Sequence, residues 1–431
     1  MDADTQLAPE FLEVAAASVE SSAEIGAAGG SIAGVHAVGL LKVGPRSAGS
    51  EPGPVCYGLG GAEATVTDAN VILGYYDPDF FLGGRMQLDL EAAEAAMDRF
   101  AARMGLGRME AARGIHRVVV ESMAAATRVH LIEKGKDPRG CAMVGFGGAG
   151  PAHAADVARA MGVREVIIPP ASGAASALGF LTAPLSFELS RSMPVQLTEG
   201  FDPAPIESLL NELEVEAKTR LADAGVAECD IMVERYSEMR LVGQMHEITV
   251  PLPTDLGGDD ALNAIRKAFT AAYQARYASV RPGERMEAIS FRVLCSGPTP
   301  EISLAGASEG ADTPVLKGHR KAWFDDGEVE LAVYDRYALA DGMVIDGPAV
   351  IEERESTTLV PPGDRVEVDS ALNLRLTVAL PAESTQIISD DMSLDEAVGR
   401  LEADPVALEI MWSRLVTVTE EMWLTVIRTA F

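Results

Sequence analysis

The chain has 431 residues, 48% hydrophobic and 23% charged, which is the composition of a globular protein of about two to three domains and excludes a disordered chain. Its net charge of −30, from 65 acidic against 35 basic residues, repels phosphate backbones and anionic lipid, so no nucleic acid and no membrane is expected as a partner. The cysteines, Cys56, Cys141, Cys229 and Cys295, lie far apart without a CxxC pair. That argues against a disulfide framework and against a zinc site, so no metal site is expected, and free thiols in a reducing cytosol fit best.

The first residues, MDADTQLAPEF, are acidic and have no apolar core, unlike a signal peptide. No apolar run reaches the length of a membrane span, and a cytoplasmic location is expected. Residues 1–23 carry no clear structural signal. Residues 24–62 are rich in Gly and Pro, with short β segments (SIAGV, LLKVG) set between turns. LDLEAAEAAMDRFAARMG predicts a helix capped by Asp89. A second helix is predicted from Met109 to Lys134, with apolar Ile115, Val118, Val119, Met123, Val129 and Ile132.

The stretch GFGGAGPAHA, residues 145–154, follows the apolar CAMV and precedes a helix with Pro151 in its first turn. With REVIIPP as the next strand, residues 141–169 predict a βαβ unit with parallel strands. SGAASALGFL, residues 172–181, reads as a small-residue helix. Beyond Arg191, helices are predicted over 203–225 and 260–278, with strands at ERYSEMRLV and HEITVPLP between them. From His319 to Leu376 the pattern is mainly short strands, with a hairpin turn at Asp326-Gly327 and a Pro361-Pro362-Gly363 turn that suits a small barrel or sandwich. Residues 380–403 read as a linker. A last helix opens at Asp404-Pro405 and runs to Phe431 with apolar residues on more than one face, so it is expected to be poorly packed or covered by another chain.

Glycine in a strand-to-helix turn lets the backbone approach a ligand closely, and the helix N-terminus favours an anion; close packing of helix on strand is the alternative. The glycine turn and the SGAASALGF element, each after a strand, describe one lobe of an actin-like ATPase fold. EIGAAGGSIAGV, the long block VGPRSAGSEPGPVCYGLGGAEATVTDANVILGYYDPDFFLGGRMQLD, EKGKDPRGCAMVGFGGAGPAHA, LVGQMHEITVPLP and GPAVIEERESTTLVPPGDRVEVD together resemble the later part of the hydantoinase A/5-oxoprolinase family. DPVALEIMWSRLVTVTEEMWLTVIRTAF resembles the opening of the hydantoinase B family, as in fused 5-oxoprolinases.

The resemblance implies an α/β fold, one lobe of an actin-like ATPase with a mixed or parallel sheet, over 24–192. An α+β and β-rich C-terminal region follows over 193–379, then the linker and a truncated B-type start over 404–431. It implies an ATP-dependent hydrolase that phosphorylates a cyclic amide and opens it, with ATP as cofactor and Mg implied. A small cyclic-amide substrate, a hydantoinase B-type subunit or domain and an oligomeric assembly would be its partners. An ATP-dependent ketone carboxylase subunit is the alternative, and a non-catalytic remnant a third reading. Neither the family's DxGGT-like loop near the start nor its phosphate loop before the AAGGS stretch is found, so the isolated chain is expected to be incomplete and inactive. By resemblance, Gly147, Gly148, Gly150 and Pro151 match the adenosine loop, and Gly29, Gly30 and Ser31 match a turn near the cleft. Asp68, Asn70 and His153 are candidate site-lining residues, with an Asx turn or helix cap as the alternative for the first two. No residue is assigned as catalytic. Cys56 is read as a buried thiol rather than a nucleophile, and His246 as a structural residue on a strand.

Overall fold

The computed structural model describes residues 30–35, 41–133, 136–253, 256, 260–277, 285–300, 314–380 and 405–430. In chain order the elements are β1 (Ser31–Val35), β2 (Leu41–Ser47), α1 (Val66–Ile72), α2 (Leu90–Met104), α3 (Arg108–Glu133), β3 (Met143–Val144), α4 (Gly150–Met161), β4 (Glu165–Ile168) and α5 (Ala175–Thr182). Then come β5 (Ser186–Gln196), α6 (Ala204–Asp223), β6 (Met232–Leu241), β7 (Ile248–Pro251), α7 (Ala261–Tyr277) and β8 (Met286–Ser296). The C-terminal part adds β9 (Leu316–Phe324), β10 (Gly327–Asp335), β11 (Val344–Asp346), β12 (Ala349–Glu352), β13 (Thr357–Val360), β14 (Arg365–Val368), β15 (Leu374–Thr377) and α8 (Pro405–Ala430). These form two compact units, Met1–Ser176 with Leu304–Met422, and Ala177–Ser303 with Trp423–Phe431.

In the first unit β3 and β4 run parallel, Met143 opposite Val166, and the helix between them is α4, as the βαβ reading requires. The sheet continues with strands from far along the chain, in the order β11-β14-β15-β4-β3. A second sheet has the order β13-β12-β10-β9, with β10 and β12 parallel. The strands after residue 314 therefore do not close into a barrel or sandwich of their own. Leu374 of β15 pairs with Ile168 of β4, and that register buries Val166, Ile168, Leu374 and Leu376 together under α4. The β9–β10 loop is Asp325-Asp326, one position earlier than the sequence suggests, because Phe324 pairs with Gly327.

Helices α1, α2 and α3 pack on one another around Tyr75, Met97 and Ile115, all fully buried. The first turns of α8 join this core through Val406 and Ile410, and Arg414 reaches both carboxylate oxygens of Glu121 on α3 at 3.0 and 2.9 Å. The start of the helix is thus well packed, contrary to the expectation for it. Farther along, Trp412, Leu415, Val418 and Met422 are exposed, as the spread of apolar residues implies. Asp404 lies outside the described residues.

The second unit is a four-stranded antiparallel sheet, β5-β8-β6-β7, with α6 and α7 covering a core of Leu210, Leu221, Phe269, Phe291 and Val293. Arg235 is 6% exposed, and Glu207, Glu214 and Asn211 accept its hydrogen bonds at 2.6–3.3 Å, so its charge is buried but paired. His246, read as a strand residue, is exposed and lies ahead of β7.

Candidate functional site

A cleft of about 180 Å³ opens in the first unit. One wall is the β3–α4 turn, Gly148 and Ala149. A second is Thr67 of α1 with the aromatic run after it, Tyr76, Phe80 and Phe81. Tyr57 stands beside them, and Glu352–Thr357, between β12 and β13, closes the opposite side.

The glycines of the turn divide their work. Gly147 has φ +89, a backbone region that side chains disfavour. Its N–H donates to the Ser172 carbonyl at 2.8 Å, and its carbonyl accepts from Ser356 Oγ at 3.3 Å. It holds the turn in place and does not line the cleft. Gly148 is exposed and lines it, and a Cβ there would come within 3.3 Å of the Glu355 carbonyl oxygen. Gly173, in the turn after β4, meets the same residue, where a Cβ would lie 2.5 Å from the Glu355 side chain. Gly150 opens α4, and Pro151 is buried in its first turn. The resemblance placed all four against a nucleotide; among them only Gly148 is a lining residue of the cleft.

Gly29 lies outside the described residues. Gly30 accepts from the Ala48 N–H at 2.8 Å, and Ser31 stands opposite Ser47 on β2. Neither is among the lining residues.

Asp68 is fully buried at the start of α1 and shares a capping box with Thr65. Its oxygens accept from the N–H groups of Val55, Cys56 and Thr65 and from Thr65 Oγ1, at 2.7–3.2 Å. It therefore ties the loop carrying Tyr57 to the helix carrying Thr67. Burial, with Asp68 close by, pushes the Cys56 thiol far above its usual range, so Cys56 is a neutral thiol and no nucleophile.

Asn70 and His153 are also fully or almost fully buried, one turn below the lining residues Thr67 and Ala149. His153 is thus neither solvated nor a lining residue. They meet a residue the sequence reading passed over, His116 of α3. Its Nδ1 is 3.0 Å from Asn70 Oδ1, and its Nε2 is 3.0 Å from Asp156 Oδ2. Asn70 Nδ2 is 3.2 Å from His153 Nε2, and the two imidazoles stack with centroids 4.7 Å apart. Burial holds both histidines below their ordinary range, His153 down to about 3. Burial works the other way on Asp156, but the His116 hydrogen bond and the charges of Arg113 and Arg159 outweigh it, and the group stays ionised. The signal for His116 in the sequence was a polar residue between core positions Ala112, Ile115 and Val119.

On the cleft's far side, Glu352 is 2.6 Å from both Lys317 Nζ and Arg320 Nη1, and Lys317 Nζ stands 3.5 Å over the Phe80 ring. Glu353 accepts from the Ala171 N–H at 2.8 Å and from Ser172 Oγ at 3.0 Å. Both carboxylates are thus engaged by the protein.

Two models of one family match the chain, hydantoinase/oxoprolinase over residues 14–189 and the hydantoinase/oxoprolinase C-terminal domain over 202–377. Among curated relatives, caprolactamase subunit alpha of Pseudomonas jessenii is 36% identical over 82% of this chain and 52% of its own length. The gamma subunit of acetophenone carboxylase from Aromatoleum aromaticum is 33% identical over 85% of this chain and 52% of its own. 5-oxoprolinase 1 of Arabidopsis thaliana is 27% identical over 99% of this chain and 34% of its own. The chain thus spans at most about half the length of these relatives. The crystal structure of ATP-dependent caprolactamase from Pseudomonas jessenii superposes with a TM-score of 0.66 at 35% identity, over 81% of this chain and 51% of that one. Nucleotide-free acetone carboxylase gives the same TM-score at 24% identity, over 81% of this chain and 52% of that one, a likeness of fold. The fold is of the actin-like ATPase type, with mixed sheets, helices and a β-rich C-terminal region. On the two matching models and these relatives, the chain belongs to the hydantoinase/oxoprolinase family.

Proposed function

We propose that this chain supplies the adenosine-side wall of an ATP-dependent enzyme that opens cyclic amides. The observation that carries this reading is the cleft between the glycine turn and the rings of Tyr57, Tyr76, Phe80 and Phe81. Aromatic faces and a backbone wall suit a flat base. Asp77, Glu352, Glu353 and Glu355 also line the cleft, with Arg354, and although Lys317 and Arg320 pair with Glu352 and Arg320 with Asp77, there is no surplus of positive charge there for a triphosphate. The residues therefore fit the nucleoside and not the phosphates. Among the described residues no group of three or more His, Cys, Asp or Glu is placed to hold a metal ion.

ATP, where bound, would supply the phosphoryl group that, on the amide oxygen, makes the amide carbon electrophilic enough for water to add and the ring nitrogen to depart. This chain's part is to hold the base, with the turn fixed by Gly147 and Ser356. Caprolactamase among the relatives supports a lactam as substrate. Acetophenone carboxylase supports ketone carboxylation as the second reading. The naming of both relatives as subunits supports a partner subunit, of the hydantoinase B type by the resemblance of residues 404–431. Calorimetry with adenosine and with ATP tests the reading: affinities within about threefold of each other, and weak, are expected when only the nucleoside is gripped. Much tighter ATP binding would reveal a phosphate site in this chain. Absence of adenosine binding would remove the proposal and leave a non-catalytic role.

A further inference from the structure

Asp156, His116, Asn70 and His153 form one chain of polar contacts of 3.0–3.2 Å across α4, α3 and α1. It lies one helical turn below Thr67 and Ala149, which line the cleft. His153 Nδ1, at its far end, is buried without a hydrogen-bond partner.

The oxygen and nitrogen of an amide exchange places by half a turn, so two proton patterns share these heavy-atom positions. In one, both His116 nitrogens donate, to Asp156 and to Asn70 Oδ1, and His116 is a cation. Asn70 Nδ2 then donates to His153 Nε2, and His153 carries its proton on Nδ1. In the other, His116 is neutral and donates from Nε2 to Asp156. Its bare Nδ1 then accepts from the turned amide of Asn70. The Asn70 oxygen accepts from His153 Nε2–H, which leaves His153 Nδ1 bare.

We propose that His116 is a positioning residue for the cleft: its proton count sets the direction of the Asp156–His116–Asn70–His153 chain and so switches His153 Nδ1 between hydrogen-bond acceptor and donor. One proton is taken up, at His116; the proton on His153 changes nitrogens, and Asn70 turns over. The neutral pattern, with the Asn70 amide turned over from the placement in which Oδ1 faces His116 and Nδ2 faces His153, holds at neutral pH. Burial disfavours the imidazolium, and an orphaned buried N–H on His153 is costlier than a bare ring nitrogen.

The groups facing His116 set where it switches. Asp156 on α4 and Asp325 in the β9–β10 loop favour the cation, and Arg113 on α3 itself opposes it. Arg159 on α4 binds both Asp156 and Asp364, and Arg113 reaches the Tyr75 hydroxyl, whose ring meets His116 edge-on. His153 stacks on the remaining face. Uptake of the proton is thus displaced below the ordinary histidine value of about 6.5.

Long-range ¹⁵N–¹H spectra of the imidazoles in the whole chain, recorded from about pH 8 to about pH 5, test the switch. At the upper end both rings should be neutral with the proton on Nε2. On acidification His116 should gain its second proton, and His153 should move its proton to Nδ1 at the same midpoint. His116→Gln keeps a donor toward Asp156 but cannot titrate, and it should freeze His153 in one form. A His153 tautomer that stays fixed while His116 is protonated overturns the proposal, as does a His116 that stays neutral throughout. The wild-type titration needs no variant, so a misfolded His116→Gln leaves the test intact. Adenosine affinity across the midpoint gives a second readout, expected to change by about threefold or more in the wild type and not in His116→Gln. This readout alone rests on the nucleoside reading of the cleft. If adenosine does not bind, that reading fails, while the spectra still decide the switch.

Discussion

Asp68 illustrates how much one buried side chain can organise. Four donors converge on its two oxygens, three of them backbone N–H groups. Asp68→Ala leaves them buried without a partner, and a loss of about 3 kcal/mol or more is expected from urea unfolding. Asp68→Asn, which keeps one accepting oxygen, should lose about half as much. A loss below about 1 kcal/mol for the alanine variant would mean that water replaces the carboxylate and that the loop is not held by it. The sequence shows Asp68 and Asn70 as polar residues in an apolar run, which is why both stand out. It does not show His116, because its partners lie 46 and 40 positions away and its own helix reads simply as amphipathic. Nor does it distinguish the glycine that lines the cleft from the one that fixes the turn. That difference resides in Ser172 and Ser356, which approach Gly147 from other segments.

Among the elements, helices α2, α3, α4, α6 and α7 follow the periodicity and caps of the sequence closely, whereas β5 and β8 leave no clear strand signal. Their pairing explains why. Ser192 of β5 stands opposite Ser290 of β8 and Val195 opposite Ala288, so the register shifts around Pro194 and Ile289. A bulge in β5 accommodates a proline that would break a regular ladder, and against β6 the register shifts again, Glu238 opposite Ser290 and Met239 opposite Ala288, so that β8 carries one extra residue and the parity of its inward residues changes. In β8 the buried positions are Met286 and Ala288 before it, then Phe291, Val293 and Cys295. A search for strict alternation fails on such a strand. Helix α8 owes its seat to Gly114 of α3, where a Cβ would lie 2.7 Å from Val406 Cγ2 and 3.1 Å from Leu41 Cδ1. Gly114→Ala should therefore cost about 1–3 kcal/mol in the whole chain through overpacking. With residues 405–431 removed, only the 3.1 Å approach to Leu41 Cδ1 remains, and the same change should cost clearly less, since alanine is also the better helix former. Thermal midpoints of the four proteins check this, and an equal cost in both backgrounds would show that α8 does not press on Gly114.

For the whole molecule, the two units differ in how the chain supplies them. The second draws its sheet and both helices from Ala177–Ser303. It has its own apolar core and a paired buried arginine. A protein of residues 177–303 alone should accordingly unfold in one cooperative urea transition, followed by circular dichroism. A gradual, non-cooperative loss of signal would show that this core depends on the rest of the chain. The first unit joins segments on either side of that stretch. Composition and periodicity could not reveal this arrangement. They located β3, β4 and the C-terminal strands other than β11, but the pairing of Leu374 with Ile168 spans two hundred residues and leaves no local trace.

That pairing gives synthesis of the protein an order of events. When β4 leaves the ribosome its outer edge has no neighbour until β15 follows. At ordinary translation rates of about 5–20 residues per second, the wait is roughly 10–40 s. During it the sheet and the helices α6 and α7 of the second unit emerge, while the glycine turn rests on a half-built sheet with an open edge, the kind of surface on which nascent chains aggregate. The sheet beneath the cleft is thus completed only once β15 has emerged, and a nascent chain stalled within that interval is a natural client for chaperones.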